Sequence, residues 1–187
     1  SLGTVVMAAS SAAWNMEVIT FNILDSFSQA CTTFVGQNYG AGKVDRVKKS
    51  YLISLAYSFG VGLVLGGTLM PFGREFLALF TTEPAVIDAG MKRVSVMAMA
   101  YCISAFMDCT IAASRGLGKT VVPTIIVVMG SCVFRVVWVY TIFAQIHTIP
   151  SLYLLYPCSW ALTAVAEMVY FVGSYKKCMA VFRESAA

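Results

Sequence analysis

Five long apolar runs, separated by short polar stretches, divide this chain. They cover about residues 5–36, 51–70, 84–113, 120–143 and 151–174, and a polar tail follows over residues 175–187. Each run reaches or exceeds the roughly 20 residues that an α-helix needs to cross a bilayer. The second run ends at Pro71, since proline breaks helix interiors, and residues 72–82 are expected to form a loop. The pattern predicts an all-α integral membrane protein with about five transmembrane helices.

The composition supports this prediction. Hydrophobic residues make up 59% of the 187 residues and charged residues 12%, whereas soluble domains carry about 25% charged residues. The mean hydropathy is +0.78. Such a chain cannot cover itself with a polar surface, so we expect the lipid bilayer to be its partner. Because the first residue is Ser1, we also expect a segment of a longer protein.

Basic residues are divided unequally between the two sets of loops. Residues 35–50 form a glycine-rich, basic elbow between the first two runs. If this elbow is cytoplasmic, nine basic residues lie inside and three lie outside. The inner set is Lys43, Arg46, Lys48, Lys49, Arg115, Lys119, Lys176, Lys177 and Arg183, and the outer set is Arg74, Lys92 and Arg93. This positive-inside bias predicts a multi-pass protein of the cell (plasma or inner) membrane with a cytoplasmic carboxyl terminus. The same bias accounts for the net charge of +4 without a nucleic-acid partner.

Two glycine-rich elbows, Gly36–Lys43 and Ser114–Thr120, superficially resemble phosphate-binding loops. A P-loop would require glycine at Gln37 and serine or threonine at Val44, or glycine at Ala113 in the second elbow. Neither elbow follows a strand, and the glycines instead suit tight turns at helix ends. His147 stands alone in a predicted polar loop, and no catalytic or metal-ligand constellation is visible. We therefore expect no enzyme, no cofactor and no metal beyond a possible Na⁺.

The first turns of the third run, with Asp88, Lys92 and Arg93, are expected to stand outside the hydrocarbon. Five ionisable residues are then expected inside it: Glu17, Asp25, Asp108, Arg135 and Glu167. Each would cost about 3 kcal/mol facing lipid, so each should face a cavity or a partner. At about 1.5 Å per residue, the three carboxylates Asp25, Asp108 and Glu167 form one tier in the inner half of the bundle. Glu17 and Arg135 form a second tier and are the predicted ion pair. Glu167 is a further candidate for a structural ion pair.

Helical periodicity collects polar residues on single faces. At about 100° per residue, a polar stripe runs along the first helix, and such a stripe is typical of the wall of a water-filled path. Its residues are Asn15, Asn22, Asp25, Ser26, Gln29, Thr32 and Thr33. On the third helix, Tyr101, Ser104, Asp108 and Arg115 share a face. The predicted cation and substrate pathway comprises Asp108, Asp25, Asn22, Gln29, Ser104 and Tyr101.

Small residues four apart on the second helix indicate a different role. Ser58, Gly62 and Gly66 form a stripe that lets another helix approach closely. This pattern predicts packing and carries no information on chemistry.

Several segments resemble the multidrug and toxic compound extrusion (MATE) family. They are Leu2-Gly-Thr-Val-Val-Met-Ala-Ala9, Gln37-Asn-Tyr-Gly-Ala-Gly-Lys43, Ala112-Ala-Ser-Arg-Gly-Leu-Gly-Lys119, Pro123 and Phe134-Arg-Val-Val-Trp138. Their order and spacing are those of the second half of that family. The resemblance covers nearly the whole chain.

This resemblance implies twelve helices in two six-helix bundles around a central cavity, of which this chain would supply helices eight to twelve. Helix seven would end at about Leu2-Gly3, and the N-terminal half would be missing. It further implies export of organic cations and amphipathic drugs in exchange for Na⁺ or H⁺ by alternating access. Asp108 resembles an acidic residue of helix ten in some members, although it lies about one turn nearer the elbow than expected, where Ser104 would have matched. Asp25 has no counterpart in the family pattern.

Two other functions stay open at this stage. A related flippase for lipid-linked oligosaccharides would carry more basic residues in its cavity, and Arg135 is the only base expected within the hydrocarbon. A membrane-embedded assembly subunit without transport would not need the polar stripe on the first helix.

Overall fold

Five long helices make up the structure, a computed structural model that describes residues 4–146 and 149–185. They are α1 (Thr4–Gly40), α2 (Val44–Ala78), α3 (Pro84–Gly116), α4 (residues 121–146) and α5 (Ile149–Ser185). The described residues contain no strand, so the all-α prediction is confirmed. His147, predicted to lie in an outer loop, is not among the described residues. Leu2 and Gly3, at the expected end of helix seven, are not among them either.

Two helices extend well beyond their predicted ends. α2 continues through Pro71 to Ala78. The loop before α3 therefore covers only residues 79–83, whereas a loop over 72–82 was predicted. The ring of Pro71 lies on the exposed side of α2, and the long flanking turns keep the helix continuous although proline removes one backbone donor. α5 continues to Ser185 where a polar tail was expected. The residues after Ser174 are polar and end the apolar run, but lysine and arginine are good helix formers, so the helix itself continues.

α4 has an irregular backbone. Its α-helical segments Val121–Val128, Phe134–Trp138 and Ala144–Ile146 alternate with two π-helical segments, Met129–Val133 and Val139–Phe143. Single π-helical turns inside longer helices commonly accompany functional or tightly packed positions. Here the first of them brings Gly130 against the side chain of Thr163 on α5, where a Cβ atom would not fit.

α3 is the centre of the bundle. It packs against α1, α2 and α5, while α4 packs mainly on α5. The predicted small-residue stripe is confirmed, because Ser58, Gly62 and Gly66 are all buried. The last two lie against the backbone of α3 at Tyr101 and Ala98. Small residues thus allow α2 and α3 to approach almost backbone to backbone.

The two elbows turn on glycines, as predicted. Gly42 and Gly118 have φ angles of +67° and +74°, values that side chains with a Cβ atom rarely adopt. At the same end of the bundle, Tyr39 of α1 stacks edge-on against Phe182 of α5, with ring centroids 5.3 Å apart. The carboxyl ends of α1 and α5 and the start of α2 therefore lie together.

Within the described residues, three helical stretches are long and apolar enough to cross a membrane: Val44–Ala78, Val121–Phe143 and Leu152–Phe182. The halves Pro84–Ala98 and Ala100–Gly116 of α3, bent by 47°, make a fourth if they form one span. α1, predicted as a span, does not meet the same criterion, since its polar stripe lowers its hydropathy. The chain is a multi-pass membrane protein, with three or four candidate spans on this criterion where five were predicted.

Candidate cation site on α1 and α3

Asp108 is the polar centre of this site. It lies on α3, partly buried, and the hydroxyl of Ser104 one turn earlier donates to its Oδ2 at 2.8 Å. Asp25 of α1 and Arg115 of α3 both interact electrostatically with the Asp108 carboxylate. Of the predicted pathway residues, the structure joins Asp108 directly to Ser104, and Asp25 is a charged residue whose field reaches the same carboxylate.

The polar stripe of α1 lies on the exposed side of that helix. Gln29 Nε2 is 3.4 Å from Asp25 Oδ2 and donates to it, and the hydroxyl of Ser26 donates to the carbonyl oxygen of Asn22 at 2.9 Å. Asn22, Asp25 and Gln29 are all exposed. Thr32, at the inner edge of the stripe, is placed between the carbonyl oxygens of Ser28 and Ala112, each 3.2 Å away. The stripe thus forms an open polar surface next to Asp108.

This arrangement suits a small cation. Two carboxylates of like charge on neighbouring helices repel one another when both are ionised, and a bound proton or metal cation removes that repulsion. The hydroxyl oxygen of Ser104 lies beside Asp108 and the side-chain amide of Gln29 lies beside Asp25. Oxygen atoms of this kind are the ligands that hard cations take. No group of three or more His, Cys, Asp or Glu side chains suited to a metal ion occurs within the described part of the chain.

Tyr101 was predicted to line the pathway, and the structure places it elsewhere. It is 1% exposed, and its ring packs edge-on against Phe21 of α1 at 5.7 Å. Ser104 shares this face of α3 and is also 1% exposed, whereas Asp108 further along the helix is only partly buried. Tyr101 is therefore a core residue of the α1–α3 contact, not part of the open surface.

The predicted ion pair between Glu17 and Arg135 is wrong. Glu17 instead binds Arg93 of α3, which donates from Nε and Nη2 to the two carboxylate oxygens at 2.9 and 2.8 Å. Arg93 had been assigned to the outer loops, yet it is buried within the bundle. The sequence contained a signal for this position, because Arg93 comes eleven residues before Ser104, a spacing that places both residues on nearly the same face of α3 at about 100° per residue.

Arg135 nevertheless lies near the Glu17 level, as the depth argument predicted. Its guanidinium is 4.6 Å from the ring centroid of Tyr156, and its Nε donates to the hydroxyl of Ser159 at 3.1 Å. The guanidinium of Arg93 lies 5.6 Å from the same ring. Tyr156, which the sequence argument missed, therefore connects the two arginines.

Glu167 has no ion-pair partner in the described residues, contrary to the prediction. It is fully buried on α5, and neither carboxylate oxygen has a hydrogen-bond partner there. Arg115 acts on it electrostatically but forms no ion pair with it. Glu167 is therefore a buried carboxyl group without a counter-charge in contact with it among the described residues, and burial of an ionised carboxylate in such a place is costly.

Known proteins resemble this chain in sequence. The family model MatE matches residues 1–141. The chain is 27% identical over 116 residues to the probable multidrug resistance protein NorM of Thermotoga maritima, covering 60% of this chain and 24% of that protein. It is 28% identical over 95 residues to the FAD transporter of Shewanella oneidensis, covering 51% and 21%. The chain thus spans about a quarter of the length of the curated relatives that it matches.

The fold agrees with a solved structure of the same class. The inward-facing conformation of a multidrug resistance MATE family transporter superposes with a TM-score of 0.80 over 98% of this chain and 43% of that chain, at 16% identity. The relatives carry the names of transporters, which agrees with the expectation that this chain is not an enzyme. Since the family model covers three quarters of its length, the chain belongs to the MatE family.

Proposed function

We propose that this chain forms part of a secondary active transporter that exports organic cations or amphipathic drugs in exchange for Na⁺ or H⁺. The curated relatives named for multidrug resistance and for FAD transport support export of small molecules in general. The missing N-terminal half of the same transporter would supply the opposite wall of the cavity. The protein would lie in the plasma or inner membrane with its carboxyl terminus in the cytoplasm.

The observation that carries the proposal is the position of Asp108. Its carboxylate accepts a hydrogen bond from Ser104 and interacts with the charge of Asp25. Asp25 belongs to the exposed polar stripe of α1. An exposed polar stripe is costly against lipid, so this surface requires water or a second bundle over it. A cavity between two bundles meets that requirement and brings a cation to Asp108 directly.

The mechanism follows from charge. Binding of the coupling cation at Asp108 and Asp25 neutralises two neighbouring carboxylates, and its release restores a negative site for a cationic substrate. A ligand shifts a conformational equilibrium only by its differential affinity for the two states. The gradient of Na⁺ or H⁺ therefore supplies the driving force for export, because cation and substrate occupy the negative site in turn.

The two other functions fit less well. A flippase for anionic lipid-linked sugars requires basic residues on the cavity wall, but Arg135 is engaged with Tyr156 and Ser159, and Arg93 is engaged with Glu17. An assembly subunit leaves the α1 stripe without a purpose. Neither alternative is favoured by a specific observation.

The test is efflux of a fluorescent cationic dye from proteoliposomes that contain the complete transporter of which this chain is proposed to form part. Asp25→Asn and Asp108→Asn should each abolish efflux driven by an imposed Na⁺ or pH gradient while leaving membrane insertion intact. Asp45→Asn, an exposed carboxylate in the first turn of α2, is the matched control and should transport normally. Full efflux by both Asp25→Asn and Asp108→Asn would refute the proposal.

A further inference from the structure

An apolar groove runs between α2 and α5 on the outside of the bundle. Both helices pack extensively against α3 and meet each other through the rings of Tyr51 and Phe171. Beside this contact they leave a gap with a volume of about 440 Å³. This volume lies within the range of small-molecule sites in proteins. Leu52, Leu55, Phe106 and Phe171 are among the residues that line it.

The floor of the groove is fixed by aromatic contacts. The rings of Tyr51 on α2 and Phe171 on α5 have centroids 4.6 Å apart, and the hydroxyls of Tyr51 and Thr110 on α3 lie 3.0 Å apart within hydrogen-bonding distance. Three helices therefore hold the floor in place. The groove is a feature of the packed bundle and does not depend on one mobile side chain.

Two lysines lie at one end of this groove. Lys48 comes one turn after the start of α2, and Lys176 lies in the last part of α5. Both side chains are exposed, and neither forms an ion pair with a carboxylate in the described residues. Their end of the bundle is the one that holds the glycine elbows, where α1 and α5 meet through Tyr39 and Phe182.

We propose that this groove binds one anionic phospholipid, with an acyl chain between α2 and α5 and the phosphate at Lys48 and Lys176. The apolar walls match a hydrocarbon chain, and the two unpaired ammonium groups at the membrane boundary match a phosphate. Basic pockets between transmembrane helices recognise anionic headgroups in this way, with about 1 kcal/mol from each lysine or arginine near the surface. This site is separate from Asp108 and stands whether or not the proposed transport is correct.

The chain supplies a matched pair of variants for the test. Lys48→Gln with Lys176→Gln removes the two groove lysines, whereas Lys49→Gln with Lys177→Gln removes two neighbours that do not line the groove. Both double variants change the net charge equally at the same depth. Binding of phosphatidylglycerol and of phosphatidylcholine to the complete protein in detergent is counted by native mass spectrometry.

We expect the groove variant to bind phosphatidylglycerol roughly 10- to 30-fold more weakly, and the control variant to bind it like the unmodified protein. Leu52→Trp, which fills part of the groove without changing charge, should weaken binding of the same lipid. Equal losses in the two lysine variants, or no loss in the groove variant, would overturn the site. Glycerol phosphate, a headgroup without a chain, should not compete, and full competition by it would overturn the role of the groove walls.

Discussion

Arg93 and Glu17 form a two-point ion pair inside the bundle, with N–O distances of 2.9 and 2.8 Å. Glu17 is 0% exposed and Arg93 is 7% exposed. The pair joins α1 to α3 at the level of Tyr156, where the guanidinium of Arg93 also lies 5.6 Å from the aromatic ring. It therefore stabilises the contact between the two helices that carry the candidate cation site.

Removing one partner of this pair should be costly. Arg93→Ala leaves the Glu17 carboxylate buried without a counter-charge, and such a loss destabilises proteins by about 3 to 5 kcal/mol. The free energy of unfolding, measured by denaturant titration in mixed micelles, should fall by that amount. Replacement of both partners, Glu17→Leu with Arg93→Met, should recover most of it.

The second ion pair of the described residues is the matched control. Arg74 and Asp88 are 2.7 Å apart, but their side chains are 58% and 60% exposed. Exposed pairs contribute about 0 to 1 kcal/mol, so Arg74→Ala should change the free energy of unfolding by less than 1 kcal/mol. A similar loss for Arg74→Ala and Arg93→Ala would show that burial does not set the strength of the Glu17 pair.

Two neighbouring glycines on α2 should respond in opposite directions to the same substitution. A Cβ atom at Gly66 would collide with the backbone of Ala98, while one at Gly67 meets nothing within 4 Å. Gly66→Ala should destabilise the protein by about 1 to 3 kcal/mol through overpacking. Gly67→Ala should stabilise it by about 0.5 to 1 kcal/mol, because alanine loses less backbone entropy in a helix. Thermal unfolding in detergent measures both, and equal effects would contradict the close approach of α2 and α3.

Glu167 should tolerate loss of its ability to ionise. Because its carboxylate oxygens have no hydrogen-bond partner in the described structure, the neutral side chain of Gln resembles the state that burial favours. Glu167→Gln should leave the free energy of unfolding within about 1 kcal/mol at neutral pH. Glu17→Gln is the comparison, since it breaks the ion pair with Arg93 and should destabilise strongly. A large loss for Glu167→Gln would indicate a charge partner that this arrangement lacks.

The sequence predicted the helices better than their partners. Hydrophobic runs and the glycine elbows located all five helices. Spacing alone predicted that another helix packs on Ser58, Gly62 and Gly66, and the structure shows that this helix is α3. The predicted ends of α2 at Pro71 and of α5 before Tyr175 were wrong. A proline or a change in polarity can mark the edge of an apolar run while the backbone hydrogen bonds of the helix continue.

Lateral contacts were the part that the sequence could not supply. Depth along a helix follows from residue count, so Glu17 and Arg135 were correctly placed near one level. Which helix faces which depends on packing, and α3 rather than α4 lies against α1. For this reason Arg93 took the place assigned to Arg135. Tyr101 is a core residue, whereas Asp108, about two turns further along α3, is partly exposed.

Cation movement during export tests the central claim most directly. The complete protein is placed in proteoliposomes loaded with the coupling cation, and a cationic substrate is added to one side of the membrane. Release of H⁺ or Na⁺ to that same side is followed, because in an exchange the cation moves opposite to the substrate. We expect cation movement that depends on substrate and is lost in Asp108→Asn, with Asp45→Asn unchanged. Substrate-dependent cation movement that persists at full rate in Asp108→Asn would contradict the assignment of the coupling site to α3.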